Sequence, residues 1–171
     1  MRLFVTASVL AGSVLLAGCA SPGSRLALEP IGPAPTTPSS VGSSGTLVVF
    51  SAFRRGADFS APPYRREYSD YRIFSPDGKL LQWVPNDSGT LEATPKPVPL
   101  PMGTYHVVAR ANGYGEVTVP VVIRPNQTTF VHLEGSPAWP HRQQLAASNP
   151  VRLPNGQIAG WRAGVNNSST P

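Results

Sequence analysis

The stretch "LPMGTYHVVARANGYGEVTVPVVIRPNQTTFVHLEG", residues 100–135, decides the fold. It contains three runs in which apolar and polar residues alternate, and a period of two is typical of β-strands with one buried face. Turn sequences rich in glycine, proline and asparagine separate the runs. The residues predicted to face the core are Tyr105, Val107, Ala109 and Ala111 in the first run, Val117, Val119, Val121 and Ile123 in the second, and Thr129, Val131 and Leu133 in the third.

One proline interrupts this pattern. Pro120 lies in the middle of the second run and has no N–H to donate to a neighbouring strand. We therefore predict that this strand lies at a sheet edge or carries a bulge at Pro120.

Short β-type runs continue upstream. Residues 46–53, "TLVVFSAF", predict a first strand, and residues 68–84 predict a hairpin whose tight turn is Ser75-Pro76-Asp77-Gly78. No part of the region shows sustained helical periodicity. Six or seven short strands within residues 46–135 predict an all-β fold, a small antiparallel β-sandwich of prealbumin- or Ig-like type with two sheets packed face to face.

Residues 100–135 resemble the second half of the carboxypeptidase-regulatory-like and PEGA-type β-sandwich domains, and "YRIFSPDGKLL" (71–81) resembles a hairpin of the same module. The resemblance implies a prealbumin-like sandwich that acts in binding, spacing or assembly and has no active site of its own. The residues that carry it are Pro101, Gly103, Tyr105, Val107, Ala109, Gly113, Tyr114 and Val117.

Residues 136–171 are predicted to form a C-terminal tail. Asn155-Gly156, between two short β-type runs, is typical of a type I′ turn, so residues 151–162 predict a hairpin. A two-stranded hairpin is marginal by itself in water. We therefore expect it to pack on the sandwich or on a partner, with Trp161 and Trp139 as anchors, and we expect the last seven residues to be disordered.

The N-terminus has the pattern of a secretory signal over residues 1–18. Arg2 precedes an apolar run that is too short to span a bilayer, and Leu16-Ala17-Gly18-Cys19 resembles the lipobox of bacterial lipoproteins. The resemblance implies cleavage after residue 18 and diacylglycerol on Cys19, which anchors the protein in the membrane. Ala20, in place of aspartate, implies the outer membrane, where we expect a periplasm-facing protein. The alternative is an ordinary signal peptide with an incidental cysteine.

Residues 19–45 are predicted to be a linker after the lipidated cysteine. Proline, glycine, serine and threonine dominate, and the apolar residues show no period, so we expect a disordered tether that buries no surface. The alternative interpretation is a proline-rich peptide ligand.

Composition excludes several functions. Of the 14 basic residues 12 are arginine, but they form no run, and the net charge of +5 reflects a shortage of carboxylates, so nucleic acid is not expected as a partner. The single cysteine cannot form an intramolecular disulfide, and no nearby cysteine or histidine completes a zinc site around it.

A search for catalytic motifs finds no His-Glu-x-x-His, no Gly-x-Ser-x-Gly and no phosphate-binding glycine loop, so we predict no enzyme, no cofactor and no metal. His106 and His132 occupy outward positions of strands that would be neighbours, which allows a surface metal pair, but two solvated histidines are the simpler interpretation. A loop with oxygen-bearing side chains is compatible with calcium or with ordinary turn hydrogen bonds. Its residues are Asn86, Asp87, Ser88 and Glu92.

The segment 53–72 is the strongest binding candidate. Guanidinium groups match carboxylates and phosphates, and tyrosine rings stack on sugars, so this loop predicts contact with an anionic envelope glycan such as peptidoglycan or lipopolysaccharide. The structural alternative leaves the arginines solvated and packs the tyrosines beneath them. The candidate residues are Arg54, Arg55, Tyr64, Arg65, Arg66, Tyr68 and Arg72.

Two functions follow from these observations. The first is a lipid-anchored, non-catalytic binding or scaffolding module of the cell envelope that contacts glycan through the Arg/Tyr-rich loop. The second is an accessory subunit of an envelope protein complex, assembled through an edge strand and the C-terminal hairpin. A small hydrolase is disfavoured because a plausible base and nucleophile are lacking.

Overall fold

The structure, a computed structural model, describes residues 26, 28–34, 42–54, 67–86, 94–135, 139 and 149–164. Within these ranges the chain forms ten strands and no helix. The strands are β1 (Ile31–Gly32), β2 (Ser44–Phe50), β3 (Tyr71–Phe74), β4 (Leu80–Val84), β5 (Val98–Pro101), β6 (Gly103–Ala111), β7 (Gly115–Ile123), β8 (Thr128–His132), β9 (Pro150–Arg152) and β10 (Ile158–Arg162).

The strands form two sheets around one core, which confirms the predicted all-β sandwich. The large sheet has the order β4-β3-β6-β7-β1-β10-β9 and the small sheet the order β5-β2-β8. Residues of both sheets, such as Leu47 and Val131 from the small sheet and Val107 and Val119 from the large one, belong to one buried cluster. Most neighbouring strands are antiparallel as predicted, but β1 with β7 and β2 with β8 are parallel pairs.

The longest hairpin, β6–β7, follows directly from the alternation in the sequence. The two strands pair without interruption from Gly103 opposite Ile123 to Ala111 opposite Gly115. All the residues predicted to face inward on these strands are buried, and so are Thr129, Val131 and Leu133.

The prediction for Pro120 is wrong. β7 lies inside the large sheet, and its register with β6 is regular through the pair His106–Pro120. A proline is tolerated here because the second neighbour of β7 is the two-residue strand β1, which pairs with it only at Val121.

The two predicted proline-containing turns have the same hydrogen bonds. In the β3–β4 turn the N–H of Gly78 donates to the carbonyl of Ser75, and in the β9–β10 turn the N–H of Gly156 donates to the carbonyl of Leu153. Gly78 and Gly156 both have a φ near +85°. The predicted type I′ turn at Asn155-Gly156 is wrong, because Asn155 lacks the positive φ that this turn requires and Pro154 fixes a negative φ before it.

The large sheet includes strands from both predicted tails. The prediction that residues 19–45 bury no surface is wrong at Leu28 and Ile31, since Ile31 is fully buried and β1 pairs with both β7 and β10. The predicted C-terminal hairpin forms and continues the sheet beyond β1, with Trp161 buried against Trp139. The folded unit therefore extends beyond residues 46–135 at both ends.

Candidate functional site

The sheet edges differ in how they are protected against pairing with another chain. Natural edges are usually blunted by proline, charge, shortness or a covering segment. β5 contains Pro99 and Pro101, and β9 has only three residues, among them Pro150 and Arg152. β8 packs beside β10. The approach is close: a Cβ added to Gly160 of β10 would lie 3.1 Å from the carbonyl oxygen of Phe130 on β8.

Among the described strands, β4 is the edge without proline, charge or a covering segment, and its only irregularity is a register shift near its start. Its sequence, Leu-Leu-Gln-Trp-Val, holds neither proline nor charge, and it pairs only with β3. The register with β3 shifts between Gln82 and Leu80 and is regular from Gln82 to Val84. No other strand of the described residues pairs with the outward main-chain groups of β4.

The side chains of β4 are also unusually exposed. Five large hydrophobic residues are exposed within the described part of the chain, and three of them lie on β4: Leu80 at 50%, Leu81 at 48% and Trp83 at 60%. Contiguous exposed apolar patches are typical of interaction surfaces, whereas single exposed apolar residues are not. We call Leu80, Leu81 and Trp83, together with the free edge of β4, the β4 edge.

A shallow groove adjoins the β4 edge on the outer face of the large sheet. Trp83 lies opposite Arg72 on β3, and the Arg72 guanidinium donates to the Glu116 carboxylate at 2.5 Å. The groove has a volume of about 250 Å³ beside Trp83, with Asp70 and Val108 in its walls. An adjoining depression of about 230 Å³ extends it toward Thr118.

The charges of this groove are internally paired. Arg72 pairs with Glu116, and Asp70 accepts a hydrogen bond from Arg54 at 2.7 Å. Arg54 also lies 3.9 Å from the carboxylate of Glu67. The groove therefore offers one exposed indole and fixed polar groups without a surplus of positive charge.

Three of the seven predicted ligand-binding residues lie within the described residues. Arg54 and Arg72 are each paired with a carboxylate, and Tyr68 is buried. Arg55, Tyr64, Arg65 and Arg66 lie outside the described residues, as does Cys19. Tyr68 is packed, as the structural alternative predicts, whereas the glycan contact predicted for Arg54 and Arg72 stays a prediction.

Tyr68 packs in an aromatic cluster at the end of the small sheet. It stacks on Phe53 at 4.8 Å between ring centroids and meets Phe50 edge-on at 5.8 Å. Burial, and secondarily the negative charge of Glu134, raise the pKa of Tyr68 to about 12. Burial also raises the pKa of Tyr71.

The predicted pair of outward histidines is wrong. His106 is on β6 of the large sheet and His132 on β8 of the small one, so their strands are not neighbours. His132 is buried, and its Nδ1 lies 2.9 Å from Glu134 Oε1. Alternation along β8 places His132 outward, but Trp139 covers it, a contact that the sequence pattern does not reveal.

Asn86 has a structural role. Its side-chain amide donates to the carbonyl of Val49 and to Ser51 Oγ, and its Oδ1 accepts the N–H of Lys96. Asn86 is therefore not available as a calcium ligand. Asp87, Ser88 and Glu92 lie outside the described residues. No group of three metal-ligating side chains occurs in the described part of the chain.

The β4 edge was not identified from the sequence. Residues 80–84 follow a clear turn, but they alternate poorly and contain four apolar residues without a charge. β3, "YRIF", alternates between apolar and polar residues, whereas β4, "LLQWV", is apolar on both of its faces. Only one face of β4 can be buried in the core, so the other apolar side chains must lie elsewhere. That mismatch is the signal that identifies the edge.

Comparison of the chain with protein-family models, with curated proteins and with solved structures gives no match. The resemblance of residues 71–135 to PEGA-type domains therefore stays a prediction. Within the described residues there is no helix long and apolar enough to cross a membrane.

Proposed function

We propose that the protein is a lipid-anchored, non-catalytic module of the cell envelope that assembles with a protein partner through the β4 edge. The observation that carries the proposal is the edge strand β4, which has no proline, no charge and three exposed large apolar side chains among the described residues. Addition of an extended segment satisfies the free main-chain groups and covers these side chains, and this mode of recognition is common for exposed sheet edges.

The energetics support a modest but specific contact. Leu80, Leu81 and Trp83 are each about half exposed, and full burial of a large apolar side chain stabilises by about 1.5–3 kcal/mol relative to exposure. Covering the three remaining half surfaces therefore contributes a few kcal/mol before the cost of association. Confinement to one membrane through Cys19 raises the effective concentration of the partners.

Within the C-terminal hairpin, β10 is not free for the same purpose, and β9 is an edge strand of only three residues. β10 pairs with β1 inside the large sheet, and Trp161 is buried within the protein. The proposed assembly therefore uses β4, at the opposite end of the large sheet from β9.

A photo-crosslinking amino acid in place of Leu81 of the full-length lipoprotein tests the proposal in the native envelope. Met102 is the matched control site, because it is 62% exposed and apolar but lies outside β4. We expect protein adducts from position 81 that Trp83→Lys abolishes, and few from position 102. Equal adducts at both sites, or adducts that Trp83→Lys leaves unchanged, contradict the proposal.

An envelope glycan is a second candidate, favoured by the exposed indole of Trp83 above the groove. Because Arg72 is paired with Glu116, the groove suits an uncharged sugar better than an anionic one. Pull-down on purified sacculus, compared for the parent protein and Trp83→Ala, tests this candidate, since retention of binding by the variant contradicts it.

A further inference from the structure

The sequence of β4 has a two-fold pattern around its central residue. Gln82 is flanked on both sides by apolar residues, Leu81 and Trp83, and beyond them by Leu80 and Val84. An antiparallel pair of identical strands related by a two-fold axis places residue i opposite j and j opposite i. A strand with this pattern is therefore a suitable partner for itself.

We infer that the segment docked on the β4 edge is β4 of a second copy of this chain, antiparallel and centred on Gln82. This inference rests on the proposed function and names the partner. In this register the two Gln82 amides face each other and Leu81 lies opposite Trp83 of the second copy, whereas Leu80 lies beyond the register shift of β4 and outside the regular pairs. Two seven-stranded sheets then join into one continuous sheet.

The alternative registers are less favourable. Directly opposed residues must point to the same side of the joined sheet, so they are separated by an even number of positions along the strand. The two-fold axis that relates the two copies of β4 therefore passes beside a residue and not between two residues. Centring on Leu81 or Trp83 places the Gln82 amide opposite an apolar side chain. Centring on Gln82 places apolar residues opposite apolar residues, and cross-strand pairs of this kind stabilise a sheet.

Charge is compatible with this pairing. β4 carries no charged residue, and Lys79 precedes it, so the two copies of Lys79 lie at opposite ends of the strand pair. The two lysines are therefore far apart, whereas directly opposed like charges destabilise a strand pair.

Disulfide trapping in native envelopes tests this inference. Directly opposed residues of antiparallel strands have Cβ atoms about 4.5–5.5 Å apart, close enough for a disulfide after a small adjustment. The full-length chain has one cysteine, Cys19, which the lipobox predicts to be acylated. We expect Gln82→Cys to give a disulfide-linked dimer on mild oxidation. Leu80→Cys, whose thiols lie at opposite ends of the strand pair, should give none.

A charge swap provides a second measurement that does not depend on oxidation. Gln82→Glu and Gln82→Lys each place like charges opposite each other, so each variant alone should lose self-association in co-purification of two differently tagged copies. Co-expression of the two variants should restore it. Gln82 is exposed, so both variants are expected to fold.

The outcomes separate the two proposals. Equal dimer from Gln82→Cys and Leu80→Cys, or no dimer and no charge-swap rescue, overturns the second copy as occupant. If crosslinking at Leu81 still yields an adduct that depends on Trp83, the proposed function stands with a different protein. If sacculus binding alone depends on Trp83, both inferences about a protein partner fail.

Discussion

His132 and Trp139 stack with their ring centroids 3.7 Å apart and their planes 15° from parallel. Phe50 covers the other face of the imidazole at 4.2 Å. Because Trp139 also lies 5.3 Å from Trp161 on β10, this one side chain connects the small sheet to the hairpin that ends the large sheet.

We expect Trp139→Ala to lower the free energy of unfolding by about 1–3 kcal/mol, because it removes apolar burial and two aromatic contacts. Trp83→Ala is the matched control, since Trp83 is 60% exposed, and a surface change of this kind costs within about 0.5 kcal/mol. Chemical denaturation of both variants measures the difference. Equal losses contradict the assignment of Trp139 to the fold and Trp83 to binding.

The stability of the protein should fall at alkaline pH because of Tyr68. Its pKa is raised from 10.0 to about 12 in the folded state, so between these values the unfolded chain loses the phenolic proton while the folded protein retains it. Stability is therefore intact below pH 10 and decreases as pH rises toward 12, at about 1.4 kcal/mol per pH unit for one group.

Tyr68→Phe removes this ionisation and should make the alkaline loss of stability less steep. Denaturation curves at several pH values between 9 and 12 measure the slope for the parent and the variant. An unchanged slope shows that Tyr68 does not contribute to the alkaline transition.

Gly45 leaves no room for a side chain. A Cβ at this position would lie 2.2 Å from the carbonyl oxygen of Arg124, a main-chain atom that cannot rotate away. We expect Gly45→Ala to destabilise the protein by about 1–3 kcal/mol through overpacking. Gly164→Ala is the control, because its nearest contact would be an ordinary 3.7 Å to the Arg124 guanidinium. Thermal unfolding of the two variants tests the contrast.

Ile31 should be as important as any residue of the central strands. It is fully buried although it comes from the segment predicted to be a linker. Ile31→Ala should cost about 2–4 kcal/mol as a cavity-forming substitution. Leu81→Ala, which removes a half-exposed side chain, should cost far less. A small effect of Ile31→Ala in denaturant titration means that β1 is dispensable.

The parts of the fold that the sequence predicts are those specified by neighbouring residues. Alternation from Tyr105 to Ile123 fixes which side chains enter the core, and proline-glycine turns fix where β4 and β10 begin. These signals are local because a strand's period and a turn's φ angles depend on the residues themselves.

The parts that sequence reasoning missed depend on distant partners. β1 has two residues, too few for any period, and it is recognised only by its neighbours β7 and β10. The burial of His132 depends on Trp139, and Trp83 is exposed on a strand that has no further neighbour among the described strands. Arg54 and Arg72 pair with Asp70 and Glu116, and a strand pattern does not determine the positions of these two carboxylates.

Because β1 belongs to the large sheet, the linker between Cys19 and the folded body is shorter than the predicted linker of residues 19–45. If Cys19 carries the lipid, nine residue steps separate it from Leu28 in the core, and at about 3.5 Å per residue an extended chain of this length reaches about 30 Å. Any pull between envelope and body is then transmitted to Leu28 and next to β1, which lies between β7 and β10. A force on the anchor would therefore act on the large sheet where β1 joins β7 to β10.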